Sequence, residues 1–391
     1  MQQVDIAIVG AGMVGLSLAA ALEGSGLSVA LVSTLPLRQP DTPQWDVRVS
    51  AINAANRQAL ETLGVWCRLN PEKVAAYQHM HVWDKDSFGE IHFDCASMQM
   101  PHLGHIVENQ ALVNALASQV ESETVTRVVI ARISRILWGS EQSMLMLDND
   151  EVIAARLVVG ADGANSFIRQ QAQLPITFRD YGHTAIVANI RTEKPHNATA
   201  RQAFTPTGPL ALLPMRDPHS CSIVWSQQTS QANHLLSLDD EAFCQALTAA
   251  SQSALGVVSL LTARASFPLT MRYAREWVKD GVVLIGDAAH TIHPLAGQGA
   301  NLGIQDALAL ASHLKHLQEQ GKALSSKRWL RPFERARKNE AAKMIAAMDG
   351  FKTLFDGDDP LKKLVRGIGL AAADSLPGVK EKLVAQAMGL R

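Results

Sequence analysis

Three glycine-centred stretches carry the residues able to do chemistry. Gly10-Ala11-Gly12-Met13-Val14-Gly15 follows an apolar run, Val4 to Val9, and opens an alanine-rich helical pattern from Met13 to Leu22. In that setting Gly10, Gly12 and Gly15 permit a tight turn and a close backbone approach. The free N–H groups of the helix start suit a dinucleotide pyrophosphate. Asp162-Gly163, inside RLVVGADGANSFIR, ends a second apolar run and opens another helix. Its simpler reading is a strand-to-helix turn with a capping aspartate. Gly286-Asp287 ends a third run, GVVLIGD, ahead of Gly297-Gln298-Gly299 and a helix from about Gly299 to Leu314. Backbone N–H groups at such a helix start can stabilise negative charge. No G-x-S-x-G elbow or Walker loop occurs, so hydrolase and kinase chemistry have no support.

One part of the dinucleotide pattern is missing. The second strand, Ser28 to Val32, should end on Asp or Glu to hold the adenosine ribose, yet Ser33 stands there. A serine makes a neutral hydrogen bond where a carboxylate accepts charge-assisted ones roughly twice as strong. Weaker ribose capture than usual is expected.

These residues need a sheet to position them. Val4 to Val32 reads as a βαβ unit, and the runs before Asp162 and Gly286 read as further strands of the same doubly wound α/β domain. Between Phe178 and Pro268 the texture changes to short alternating runs such as HTAIVANIR and CSIVWSQ, the pattern of antiparallel strands. The alternating stretch Tyr77 to Phe93 joins them. The expected organisation is a dinucleotide domain over 1–75, 105–177 and 269–345, a β-rich domain over 76–104 and 178–268, and a helical region over 346–391.

Of the 391 residues, 47% are apolar and 19% charged, enough for a sizeable core. Basic and acidic side chains number 36 and 37, so no global attraction draws the chain to nucleic acid. The four cysteines, Cys67, Cys95, Cys221 and Cys244, lack C-x-x-C spacing, which argues against a disulfide framework or a structural zinc. No run of 18 apolar residues occurs, and the amino end lacks a basic n-region. A cytoplasmic protein is expected. No metal is expected either: His290 and His293 have no Glu or Cys nearby to complete a ligand set, and His79, His81, His92, His102 and His105 read as surface or substrate-wall residues.

The run GDAAHTIHPLAGQGANLGIQDA resembles the flavin-contacting signature of single-component, FAD-dependent aromatic hydroxylases, in the form found in ubiquinone-biosynthesis hydroxylases. The resemblance extends through Arg48 in DVRVSAIN, GHIVENQALVNAL, GADGANSFIR and QAFTPTGPLALLP, in order along nearly the whole chain. It implies a Rossmann-like FAD-binding domain with an inserted, mostly antiparallel β-sheet substrate domain and C-terminal helices. It also implies non-covalent FAD, NAD(P)H as co-substrate, and hydroxylation of a polyprenyl benzoquinol or phenol through a flavin C4a-hydroperoxide. On this resemblance Asp287 accepts from the ribityl hydroxyls, and Pro294, Gly297 and Gln298 border the reacting ring. Gly299, Ala300 and Asn301 contact the flavin from the first helical turn. Asn109, Asp162 and Gly163 serve the dinucleotide. Arg48 approaches the flavin or its phosphates; a surface ion pair with Asp46 explains it equally well. The β-rich domain supplies the substrate wall through Leu212, Pro214 and Trp225.

Two rivals stand beside this reading. One is a related flavin-dependent oxidoreductase acting on another aromatic substrate. The other is a non-catalytic flavoprotein-like component of a ubiquinone-biosynthesis assembly. The resemblance leaves room for a ubiquinone-biosynthesis protein complex and for peripheral membrane contact on the inner face. Beyond Asp359-Pro360, the residues Leu361, Leu364, Val365 and Ile368 form one apolar stripe beside Lys362, Lys363 and Arg366. That pattern suits an interfacial helix, or an ordinary amphipathic helix packed on the FAD domain.

Overall fold

The computed structural model describes residues 1–40, 42, 44–122, 126–291 and 298–355. Its first sheet is built around five parallel strands, in spatial order Val282–Leu284, Val152–Gly160, Gln2–Val9, Val29–Ser33 and Thr126–Ile130. Ile6, Ala7, Ile8, Leu157, Val158 and Val159 are all fully buried. Strands covered on both faces need continuous apolar runs, which is what the sequence supplies. Helices Met13–Ala21, Asn109–Glu121 and Gln298–Glu319 pack together on this sheet. An antiparallel pair, Ile133–Leu137 and Ser143–Leu147, extends from the first half of Val152–Gly160.

The second sheet has nine strands and is antiparallel except for one pair, His79–Asp84 beside Thr199–Thr205. Its central strand, Ile176–Thr192, runs between Ser220–Gln228 and Ala265–Ala274. Boundaries at 177 and 268 would fall inside two of these strands. One face is covered by helices Thr229–Ser237 and Asp240–Ala250, where Ile186, Ile223, Trp225, Phe243 and Leu247 form a second core.

A small antiparallel sheet, Val49–Asn53, Gly104–Glu108 and Val74–Tyr77, joins the two halves. Its Ala75 and Ile106 pack on Ala211 and Leu213 of the large sheet. The chain makes a second junction where it leaves the parallel sheet at Leu284. It turns through Gly286–Ala288 and enters the antiparallel sheet at His290–Thr291, in register with Arg272 and Tyr273. Helix Lys327–Phe355 follows. The stripe from Leu361 to Ile368 lies outside the described residues.

Candidate cofactor site

The glycine loop is shaped by what each position must avoid. Gly10 has φ +105°, and a Cβ there would collide with the Ala161 carbonyl; one on Gly15 would collide with the Gly10 carbonyl. Both glycines are required by backbone crowding between the first strand and Val152–Gly160. Gly12, Gly163 and Gly299 differ: a Cβ on any of them would meet nothing within 4 Å. These three open positions border free space, as a cofactor cradle requires. Gly12 also caps helix Met13–Ala21 without a side-chain hydrogen bond, leaving the first N–H groups without an intrahelical partner.

Ser33 ends its strand beside this loop, where Gly10 donates its N–H to the Val32 carbonyl at 2.9 Å. The Ser33 hydroxyl donates to the Leu35 carbonyl at 2.7 Å and accepts from the Leu35 N–H at 3.3 Å. It closes its own turn, so its capacity to hold a ribose is further reduced.

Asp287 sits on the turn between the two sheets. Its side chain is exposed, yet the surrounding protein strips enough water to push its carboxyl above the usual range. The positive charges of His290, Arg48 and Arg272 pull the other way. Asp287 thus faces solvent within reach of three basic side chains. Arg48 lies over the Phe267 ring at 5.6 Å, and Arg272 over Phe178 at 5.9 Å. Phe267 and Phe178 remain 40% and 57% exposed, so each of these arginines lies over an exposed aromatic ring. As for the alternative partner of Arg48, Asp46 Oδ1 accepts the Arg48 main-chain N–H at 3.4 Å.

Under the turn lies a residue that sequence reasoning left without a role. Asp306 is fully buried and accepts from the Gly286 N–H at 3.1 Å and from Arg337 Nε at 2.6 Å, while His290 Nε2 lies at 2.5 Å. Burial alone would raise its carboxyl pKa; His290 and Arg337 reverse this and hold it below the usual range. His290 also stacks on Trp277 at 4.9 Å, and the Trp277 N–H donates to Glu334 at 2.8 Å. The turn is therefore held by helix Gln298–Glu319 through Asp306 and by helix Lys327–Phe355 through Arg337 and Glu334. His290 belongs to this network, and His293 lies outside the described residues.

Arg169, itself buried, donates to the carbonyls of Ala288 and Ala164, both at 2.8 Å. It ties the Asp287 turn to the Asp162-Gly163 segment. The Asp162 carboxylate accepts from Ser166 Oγ at 2.5 Å and the Ile168 N–H at 3.0 Å, the bonds of a helix cap. Asn301 spends its side chain on protein: Oδ1 accepts from the Asn53 N–H and Asn56 Nδ2, and Nδ2 donates to the Ala51 carbonyl. Its main-chain N–H lies beside those of Gln298, Gly299 and Ala300 in the same first turn. Asn109 opens helix Asn109–Glu121 and accepts from Ser50 Oγ at 2.7 Å. Pro294 and Gly297 lie outside the described residues.

A further pair supports Arg48 from a distance. Lys73 and Glu108, both buried, are 2.9 Å apart. Lys73 donates to the Gln44 carbonyl at 2.7 Å, and Glu108 accepts the Asp46 N–H at 3.1 Å. The segment just before Arg48 is thereby fixed.

The expected substrate wall needs correcting. Leu212 and Trp225 are 1% and 4% exposed and lie in the core beneath the two helices, with Trp225 5.9 Å from Phe243. Pro214, two residues along the same strand, shares their face and pairs with Cys221. Side chains alternate across a strand, so the face toward the FAD domain carries Ala211, Leu213 and Val224 instead. In register with these neighbours, Ala185 pairs with Phe267, which brings Phe267 to that same face.

Fold and site together define a flavin-binding protein of mixed α/β architecture. The chain belongs to the FAD-binding-domain family, whose model matches residues 3–347, and within it to the ubiquinone-biosynthesis hydroxylases. It is 36% identical to 3-demethoxyubiquinol 3-hydroxylase of Escherichia coli (strain K12), over 100% of this chain and 99% of that one. It is 33% identical to the mitochondrial ubiquinone biosynthesis monooxygenase COQ6 of Xenopus tropicalis, over 97% and 92%. Among solved structures it resembles p-nitrophenol 4-monooxygenase PnpA from Pseudomonas putida DLL-E4, with TM-score 0.80 at 15% identity over 100% of both chains. That last likeness concerns the fold.

Proposed function

We propose that this protein is an FAD-dependent monooxygenase that hydroxylates the ring of a polyprenylated benzoquinol in ubiquinone biosynthesis, with NAD(P)H as reductant. The observation carrying this reading is the setting of Asp287 on the turn that joins the dinucleotide-type sheet to the antiparallel sheet. Arg48 and Arg272 act on its carboxylate and themselves lie over the exposed rings of Phe267 and Phe178. Bound FAD would accept hydride and activate dioxygen there, chemistry that no side chain of the site can supply.

The protein's part is to hold and to exclude. The uncapped helix at Gly12 suits the pyrophosphate, and Asp287 suits hydroxyl donors of the ribityl chain. Main-chain N–H groups at Gln298 to Asn301 suit negative charge on the reduced ring. Arg48 and Arg272 balance the anionic groups gathered at this turn. Ala211, Leu213, Val224 and Phe267 offer a dry wall for an aromatic ring. The apolar tail of such a quinol resides in lipid. Among the described residues no helix is long and apolar enough to cross a membrane, and we assign peripheral contact to the stripe from Leu361 to Ile368. Purified protein should be yellow and should oxidise NAD(P)H faster when a short-tailed benzoquinol is added. A colourless protein, or a rate indifferent to quinol, would favour the scaffold reading.

A further inference from the structure

The outer edge of the antiparallel sheet carries a second cluster with chemistry of its own. Strands His79–Asp84 and Glu90–Asp94 form a hairpin in which His81 pairs directly with His92. Glu90 lies two residues before His92, so all three side chains project from one face. His81 Nε2 is 3.0 Å and His92 Nε2 3.4 Å from the same oxygen, Glu90 Oε2, and the three atoms lie within 4.8 Å of one another. Ligands bound tetrahedrally at roughly 2.0–2.1 Å stand about 3.4 Å apart. The two histidine–carboxylate separations are already close to that spacing.

We propose that His81, Glu90 and His92 form a binding site for a borderline divalent transition-metal ion such as zinc, outside the flavin site. The donor set, two imidazoles and one carboxylate, is the kind that selects zinc, nickel or copper over calcium and magnesium. The hairpin holds the three ligands at one edge. The rings are stacked with centroids 4.1 Å apart and planes 11° from parallel, so a modest ring rotation must converge their lone pairs on the ion. His92 and Glu90 side chains are 57% and 59% exposed, so water can reach a fourth position. His81 is half-buried against Trp83, its ring stacked at 4.7 Å. Burial, His92 and Arg201 all oppose a proton on His81 while Glu90 favours one, and the balance lies below the ordinary imidazole value. Arg201, in register with His81 on the neighbouring strand, donates to the carbonyls of His196 and Thr199.

The test is calorimetric titration of FAD-loaded protein with zinc at pH 7.5, beside His81→Ala, His92→Ala and Glu90→Gln. One ion per chain is expected for the parent and no such phase for either histidine variant. Glu90→Gln should weaken binding by at least the roughly 10–100-fold that even an outer-sphere partner costs. Copper(II) should quench Trp83 emission in the parent but not in Trp83→Phe, and binding should fall as pH drops from 7.5 to 5.5. His92 is exposed, so its removal leaves the fold intact and melting temperatures verify this. A 1:1 phase unchanged in His92→Ala, or no 1:1 phase in the parent, overturns the proposal.

Discussion

Removing the Asp306 carboxylate should unlock the turn that carries Asp287. Asp306 has no exposed surface and serves three buried partners: the Gly286 N–H, His290 and Arg337. Asp306→Ala removes the acceptor of the Gly286 N–H and of His290 and leaves Arg337 the Leu302 carbonyl at 3.3 Å. Each orphaned buried donor costs about 1–3 kcal/mol, and breaking a buried ion pair from one side costs about 3–5 kcal/mol. We expect a loss near the latter figure, against about 5–15 kcal/mol for a whole domain. Arg337→Met strands the carboxylate instead. Because both variants damage one network, Asp306→Ala with Arg337→Met should lose about 0.5–3 kcal/mol less than the sum of the singles. Urea unfolding of the FAD-loaded protein reads stability, and recovery of free-flavin fluorescence reads FAD affinity. The pH dependence has a definite sign. The carboxyl pKa is depressed in the folded state, so its contribution is complete above about pH 4 and is lost as pH falls through the folded value. If Asp306→Ala stays within about 1 kcal/mol of the parent and binds FAD equally well, Asp306 does not hold the turn.

Asp287→Ala should purify folded but without FAD, because it deletes an exposed acceptor at the turn between the two sheets; full flavin content in the variant removes Asp287 from the site. Ser33→Glu should tighten FAD by at most about 1–2 kcal/mol, less the ~0.5–1.5 kcal/mol lost with the Leu35 turn bonds. Titrations showing weaker binding would mean that another group holds the ribose. Replacing Lys362, Lys363 and Arg366 with glutamate should lower co-sedimentation with anionic vesicles, each basic residue contributing about 1 kcal/mol at the surface. Unchanged sedimentation would make that segment a packing element.

The parts of this fold written in local sequence were legible from it. Glycine spacing after an apolar run is a local signal, and the Gly10 and Gly15 turn is where it pointed. The strands flanking Asp162 and Gly286 were readable because strands buried on both faces have few polar residues to disguise them. Asp306 was not legible as an anchor. Its partners lie 16, 20 and 31 residues away in the chain, and nothing in their spacing says that they meet. The substrate wall failed for another reason. Alternation tells that Leu212 and Leu213 face opposite ways, but which face receives helices Thr229–Ser237 and Asp240–Ala250 is decided by packing. The side chain of Asn301 was likewise spoken for by residues some 250 positions earlier.

The oxygen added to the quinol ring should come from dioxygen. Purified protein, loaded with FAD and given NAD(P)H and a short-tailed demethoxy benzoquinol, should be run under isotopically heavy dioxygen with mass analysis of the quinone product. We expect one heavy oxygen atom per product ring and NAD(P)H consumption that requires the quinol. NAD(P)H consumed with only hydrogen peroxide formed, or a ring oxygen derived from water, would contradict the account.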